Sequence, residues 1–178
     1  QKHIKSYEAV NKGQFTFNNK TEYLDIENKR FNLEQANALT WGGSANINLN
    51  NLPQQSFYLW GKDFSFRTMV NKDGSGHCVI GTVNNSWYSA GTTVSWDKGK
   101  IKNNTWHNIF CVYDGSKLNV YIDGQKVRES SRPISGNVAT RLFRLRIAYN
   151  PYSWTSSKVK DFVLENRALT QQEIPRIN

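Results

Sequence analysis

The 178-residue chain carries 23 Lys and Arg against 14 Asp and Glu, a formal net charge of +9. Aromatic residues at 13% and charged residues at 21% describe one folded domain and exclude intrinsic disorder. No run of about eighteen apolar residues occurs, so membrane insertion is not expected, and no collagen-like or coiled-coil repeat is present.

In chain order, the sequence begins at Gln1 with neither Met nor a signal-peptide pattern, and reads as a processed or excised piece. Residues 1–13 read as a flexible or linker-like start to a single module spanning 1–178. Strands are predicted at 14–17, 23–26, 57–60, 64–70, 77–82, 92–96, 106–113, 117–122, 142–148 and 158–164. Each is a short run of β-branched and aromatic residues, and Gly, Asn, Asp and Ser clusters separate them. Turn chemistry falls at 72–74, 97–99, 114–116 and 123–124. The clearest unit is a three-strand meander from Trp106 to Val127. By period two, Ile109, Cys111 and Tyr113 share one face, and Leu118, Val120 and Ile122 supply the next. Near the C-terminus Thr170 stands three residues before Glu173, a capping box, and Pro175 limits that helix to a turn or so.

The segments 104–127 (NTWHNIFCVYDGSKLNVYIDGQKV) and 159–174 (VKDFVLENRALTQQEI) resemble two signatures of the laminin-G-like, concanavalin-A-type jelly rolls. The first matches the paired strands that end in Tyr-Asp-Gly and Tyr-x-Asp-Gly; the second matches the closing strand and turn. Residues 23–26 and 64–67 are similar to the family's N-terminal edge segment and early core strand. The resemblance implies an all-β, two-sheet antiparallel sandwich with at most one short C-terminal helical turn. It also places Trp106 in the core and Phe64 at the start of a core strand. Members of the family bind at a concave face or loop rim, as lectin-like, sialidase-associated or adhesion modules. Some are glycoside hydrolases, so the fold leaves function open.

Hydrolysis on such a fold needs two carboxylates about 5 Å apart. Glu22, Asp25 and Glu27 are the nearest grouping, but Glu22 points away from the other two on a strand. His3, His77 and His107 accompany no nucleophile motif, and the 73–76 glycines make a hairpin tip rather than a phosphate loop. The chain is therefore read as a non-enzyme. Lysines are scattered and no nucleic-acid-binding motif occurs, so no specific nucleic-acid partner is expected.

Sugar recognition sets aromatic faces against pyranose rings beside a few fixed polar groups. Trp87 and Tyr88 in a Gly/Ser/Asn setting, and Tyr149, Tyr152 and Trp154 around Pro151, are loop aromatics with no strand periodicity. Arg144 and Arg146 project from the side of their strand opposite Phe143, Leu145 and Ile147, and Arg67 stands similarly between Phe66 and Thr68. These guanidinium groups either decorate a solvated face or pair with a carboxylate or sulfate. Trp41, Trp60 and Trp96 fit either core or surface.

The expected ligand-binding set is Trp87, Tyr88, Arg144, Arg146, Tyr149, Tyr152 and Trp154. The expected ligands are glycans, sialylated or sulfated ones in particular, bound by an extracellular, secreted or surface-exposed module of a larger enzyme or adhesin. The alternatives are a protein-adhesion or structural module of a larger surface, viral-fibre or secreted protein and, behind it, a glycoside hydrolase whose carboxylates the sequence does not reveal. No cofactor is required. The resemblance makes calcium an option, with Asp73, Asp97 and Asp161 as candidates. Cys78 and Cys111 either form one bridge or sit reduced in the core. Sequons occur at Asn19, Asn84 and Asn103.

Overall fold

The computed structural model describes residues 14–17, 24–26, 36–52, 55–140, 145–148 and 156–175. Among them are β1 (Gln14–Phe17), β2 (Leu24–Ile26), β3 (Leu39–Ile47), β4 (Ser56–Lys62), β5 (Phe66–Asn71) and β6 (Gly76–Ile80). β7 (Thr93–Trp96), β8 (Trp106–Tyr113), β9 (Leu118–Ile122), β10 (Gln125–Glu129), β11 (Leu145–Ile147) and β12 (Ser157–Glu165) follow. They form two six-stranded sheets, which is the expected sandwich. Sheet I runs β1-β12-β3-β8-β9-β10 and sheet II runs β2-β11-β4-β5-β6-β7. All pairings are antiparallel.

Period two decides what lies between the sheets. From sheet I, Leu39, Trp41, Ile47, Ile109, Cys111, Tyr113, Leu118 and Val120 are buried; from sheet II, Phe57, Trp60, Phe66, Val70, Cys78 and Ile80 meet them. Trp41, Trp60 and Trp96 all belong to this core. A small polar group sits at its centre. The Trp41 indole N–H donates to Thr68 Oγ1 at 2.9 Å, and that hydroxyl lies 3.6 Å from Cys78 Sγ and 3.5 Å from Cys111 Sγ. The two cysteines are bonded across the sheets, their Cα atoms 6.4 Å apart and 33 residues apart in sequence. Closing a loop of that length stabilises a fold by about 4 kcal/mol in the chain-entropy account.

The meander and its two turns stand where the sequence put them. The Trp-His signature acquires a physical reason. The Lys102 N–H donates to His107 Nε2 at 3.0 Å, so the ring proton sits on Nδ1 and is donated to Asp123 Oδ2 at 2.7 Å. His107 thus ties the entry of β8 to the β9–β10 turn. The C-terminal capping box forms at Thr170 and Glu173, on a 3-10 turn at Gln171–Glu173. Leu169 and Ile174 flank it and pack on Phe110, Val112 and Tyr121, on the outer face of sheet I. This strap is held by Thr40, whose hydroxyl donates to Arg167 O and accepts from Leu169 N.

Four expectations fail. β3 is absent from the predicted strands, although it is central to sheet I. Its run Gly42-Gly43-Ser44-Ala45 carries little β propensity. Those small residues are there for approach: a Cβ at Gly42 would lie 2.5 Å from Ile109 O and 2.6 Å from the Phe110 ring. Phe64 does not begin a strand; it sits in the β4–β5 turn at φ 69° and is 41% exposed, with β5 starting at Phe66. Trp106 is half-buried rather than core, and Lys160 Nζ lies 4.3 Å from its ring centroid. Finally, the C-terminal turn is not the sole helical turn, since Leu49–Asn51 forms a second 3-10 turn.

Candidate functional site

At one end of sheet II the β4–β5 turn faces the loop that joins β6 to β7. Between them lies a cleft of about 650 Å³ lined by Phe64, Thr82, Val83, Asn84, Trp87 and Thr140. Among the described residues, the exposed large hydrophobic side chains are Phe64 (41%), Val83 (70%) and Tyr88 (43%). Phe64 and Val83 line the cleft, and Tyr88 adjoins it through Trp87. Phe64 and Trp87 stand 6.0 Å apart between ring centroids, and Tyr88 meets Trp87 edge-on at 5.2 Å.

The loop is built to hold those rings still. Thr82 Oγ1 accepts from Asn84 N and Asn85 N and donates to Ser135 O, closing an ST-turn against the neighbouring segment. Asn85 Oδ1 takes the Ser135 N–H, and Thr92 and Ser89 hydroxyls donate to carbonyls within the loop. Tyr88 has φ 58° and Phe64 has φ 69°. Left-handed backbone at a bulky residue costs about 1–2 kcal/mol, and here an aromatic of the cleft and one packed beside it both adopt it.

Beneath the rings lies Arg67. Its guanidinium carbon is 5.5 Å from the Tyr58 ring centroid, 5.1 Å from Trp87 and 5.3 Å from Tyr88. Nη2 donates to Tyr88 Oη at 2.8 Å and Nη1 lies 3.4 Å from Asp63 Oδ1. Because Arg67 can only donate, the phenol is free to give its own proton to His77 Nε2, 2.8 Å away. Burial, with the charge of Arg67 second, lowers His77 to about 4, so the imidazole is neutral at pH 7 and accepts that bond. Burial and then Asp63 push the Tyr58 phenol well above its usual range. Burial also brings the Lys62 amine down to about 8.

The sequence singled out Trp87 and Tyr88: Trp87 lines this cleft and Tyr88 packs edge-on against it. Arg146 is half-buried on β11, in register with Gly61 of β4 and Asp25 of β2. It lies near enough to Tyr58 for its charge to act on that phenol. Arg144, Tyr149, Tyr152 and Trp154 lie outside the described residues. Phe64 and Val83 were not expected at the site. The missed signal is the pair Asp63-Phe64 before a serine, a turn sequence read as the head of a strand. Arg67 is in place but its fork is engaged by Asp63 and Tyr88, so it supports the rings rather than presenting itself to solvent.

The calcium candidates are dispersed. Asp73 accepts from Ser75 within its own turn, Asp97 pairs with Arg128 at 3.1 Å, and Asp161 occupies the β12 bulge at φ 54°. Among the described residues no three His, Cys, Asp or Glu side chains converge as metal ligands. Of the sequon asparagines, Asn84 lines the cleft, Asn103 Oδ1 accepts from Asn50 N, and Asn19 lies outside the described residues.

Residues 18–175 match the profile of the concanavalin A-like lectin/glucanases superfamily, and the chain belongs to that family. No curated protein matches the sequence. Among solved structures, the binding domain of Paraclostridial Mosquitocidal Protein 1 superposes with a TM-score of 0.69 at 13% identity, over 90% of this chain and 42% of that one. The binding domain of botulinum neurotoxin serotype G gives 0.66 at 14%, over 90% and 41%. The receptor binding domain of botulinum neurotoxin D gives 0.62 at 11%, over 94% and 43%. The chain spans less than half the length of these structures, and at such identities the likeness is one of fold. No helix among the described residues is long and apolar enough to cross a membrane.

Proposed function

We propose that the chain is a non-catalytic glycan-binding module and that the Phe64–Trp87 cleft is where the sugar sits. The observation that carries this reading is the convergence of the exposed Phe64 and Val83 with Trp87 on one cleft rimmed by Asn84, Ser86 and Thr140, with the exposed Tyr88 packed edge-on against Trp87. Aromatic faces bordered by amide and hydroxyl groups are what a pyranose ring requires: an apolar surface for its C–H side and fixed partners for its hydroxyls. The described strain and hydrogen bonding hold the rings before ligand arrives, which lowers the entropy lost on binding.

Acidic glycans are the preferred class. The formal charge of +9 draws anionic surfaces from a distance. Arg144 and Arg146 pair with the sialic-acid carboxylate or sulfate. Tyr149, Tyr152 and Trp154 are proposed to stack on sugar faces as well. The module works outside the cell or on its surface, as part of a larger secreted or adhesive protein, with no cofactor required and calcium as an optional ligand.

Titration of the purified chain with 3′-sialyllactose, a sulfated disaccharide and lactose, each at two salt concentrations, tests the reading. Trp87→Ala should weaken binding of all three at least tenfold, and replacing Arg144 and Arg146 with Ala should remove only the preference for the acidic pair. Failure of every sugar at millimolar concentration would overturn it. A second reading, protein adhesion through the same cleft, is favoured by Val83, an aliphatic side chain 70% exposed at the rim; that failure would leave it standing.

A further inference from the structure

A plain pyranose ring accounts for Phe64 and Trp87 in the cleft but gives Val83 nothing to do. The C–H face of a hexose stacks on an aromatic ring, and its hydroxyls are met by amides and hydroxyls. An aliphatic side chain that is 70% exposed at the rim serves neither purpose. Its place is nevertheless fixed. Val83 N–H donates to Asn137 O at 2.9 Å, and the neighbouring Thr82 bridges to Val138. The branch at Cβ restricts χ1, so the two methyls are presented in few orientations.

Asn84 stands beside it. A Cβ added to Gly136 would lie 2.9 Å from Val83 Cγ2 and 2.9 Å from Asn84 Nδ2. Methyl and amide therefore flank one point, over a glycine whose φ of 93° and missing side chain make the room. Asn84 Nδ2 donates to Ser135 Oγ at 3.2 Å, which leaves Oδ1 as an acceptor with no partner among the described residues. Ser86 Oγ and Thr140 Oγ1 are likewise unengaged among them, whereas Thr82 Oγ1 is used up within the loop.

The cleft is also neutral. Every described side chain that lines it is uncharged. Arg67 does not line it, and its guanidinium is engaged by Asp63 and Tyr88. An ionised group seated among these side chains would shed water without gaining a counter-charge.

We propose that the sugar seated here is a neutral 2-acetamido hexose, with its acetamido group set against Val83 and Asn84. That group needs an acceptor for its N–H, a donor for its carbonyl and an apolar wall for its methyl. Asn84 Oδ1, the hydroxyls of Ser86 and Thr140, and the side chains of Val83 and Phe64 supply these in turn. This specificity rests on the glycan-binding reading given above; within it, an acidic group on the same glycan belongs to an adjoining sugar, outside the cleft.

Titration and saturation-transfer NMR of the whole chain with N-acetylglucosamine, N-acetylgalactosamine, glucose, galactose and glucosamine provide the test. The two acetamido sugars should bind about tenfold more tightly than the other three, the selectivity a filled apolar subsite gives. Their methyl protons should receive the largest saturation. Val83→Ser, a change at an exposed position, should weaken the acetamido sugars about three- to tenfold and leave glucose unaffected. Equal binding of N-acetylglucosamine and glucose would overturn the assignment, and so would glucosamine binding as tightly as N-acetylglucosamine. An unchanged ratio in Val83→Ser, including a loss shared equally by both sugars, would overturn it too. If lactose and 3′-sialyllactose bind while the acetamido preference is missing, the acetamido subsite fails and the glycan-binding reading stands. If no sugar binds, both fail.

Discussion

Both sheets carry apolar side chains on the face turned away from the core, and the chain treats them differently. On sheet I, Phe110, Val112 and Tyr121 are buried because the C-terminal strap lays Leu169 and Ile174 over them and bonds through Thr40 and Asn108. At the rim of sheet II, Phe64, Val83 and Tyr88 stay 41%, 70% and 43% exposed. The strap shows that this fold can give up the segment after β12 to cover an apolar surface. At the cleft, hydrogen bonds and left-handed backbone fix the rings in place while leaving them open to solvent. On the proposed reading, apolar groups held rigid and open are a surface for a partner.

If that contrast is right, the two regions should fail in different currencies: stability on the strap side, binding on the cleft side. The largest effect is expected from the strap. Replacing both Leu169 and Ile174 with Ala should cost about 4–6 kcal/mol, read by denaturant unfolding. It should also raise binding of a hydrophobic dye as Phe110, Val112 and Tyr121 are uncovered. A loss under about 1 kcal/mol would mean that the strap is an ornament and the contrast is void.

Acid sharpens the same comparison. The folded His77 titrates at about 4, below its ordinary 6.5. Between those values the unfolded chain binds the extra proton, so the stability His77 contributes is full above pH 6.5 and is lost as pH falls toward 4. The loss is at most about 3 kcal/mol. Protonated His77 can no longer accept from Tyr88, so the ring platform should loosen in the same window. The strap behaves otherwise. Arg167 holds Glu173 down at about 2, so its contribution is present above 4.5 and disappears only as pH falls from there toward 2. Thermal melts from pH 7 to 3 should show the upper step vanish in His77→Gln and the lower step persist.

How much of this could be read beforehand follows the same divide. The meander from Trp106 to Val127 was legible because alternation and Asp-Gly turns specify both face and register at once. The strap was legible through Thr170 and Glu173, whose spacing alone predicts the capping box. β3 was invisible because Gly42 and Gly43 look like loop residues until the Phe110 ring and β12 backbone that crowd them are in view. Trp87 and Tyr88 announced themselves by lacking periodicity. Phe64 did not, since an aromatic next to Ser65-Phe66 reads as strand; only its φ of 69° takes it out of the sheet. The support of the rings by Arg67 and His77 links three separate segments, and no local pattern encodes that.

A smaller effect separates the two sides more cleanly. Trp87→Ala should weaken glycan binding at least tenfold, about 1.4 kcal/mol. It should shift the unfolding free energy by less than about 1 kcal/mol, because the indole is only half-buried. Arg67→Ala is the companion variant. It touches no surface a ligand reaches through its fork, yet it removes the donor to Tyr88 and the cation beneath three rings. If preorganisation matters, Arg67→Ala should lose affinity while Trp87 remains in place, and crystals or NMR should show the Tyr88 ring in more than one rotamer.

The smallest expected effect lies on the strap, in Thr170. Its hydroxyl accepts the Glu173 N–H, and the Glu173 carboxylate accepts the Thr170 N–H at 3.1 Å and pairs with Arg167 at 2.7 Å. Thr170→Ala removes one arm of that box and should cost about 1 kcal/mol. Thr170→Ser, which keeps the hydroxyl, should cost little. The pair of variants isolates the cap from the apolar anchors: Leu169 and Ile174 keep their contacts on Phe110 and Tyr121 in both. Glycan affinity should be the same in both variants as in the parent chain. A cap variant that weakens sugar binding would mean that the strap and the cleft are coupled through the sandwich, and the division of labour drawn between the two faces would have to be given up.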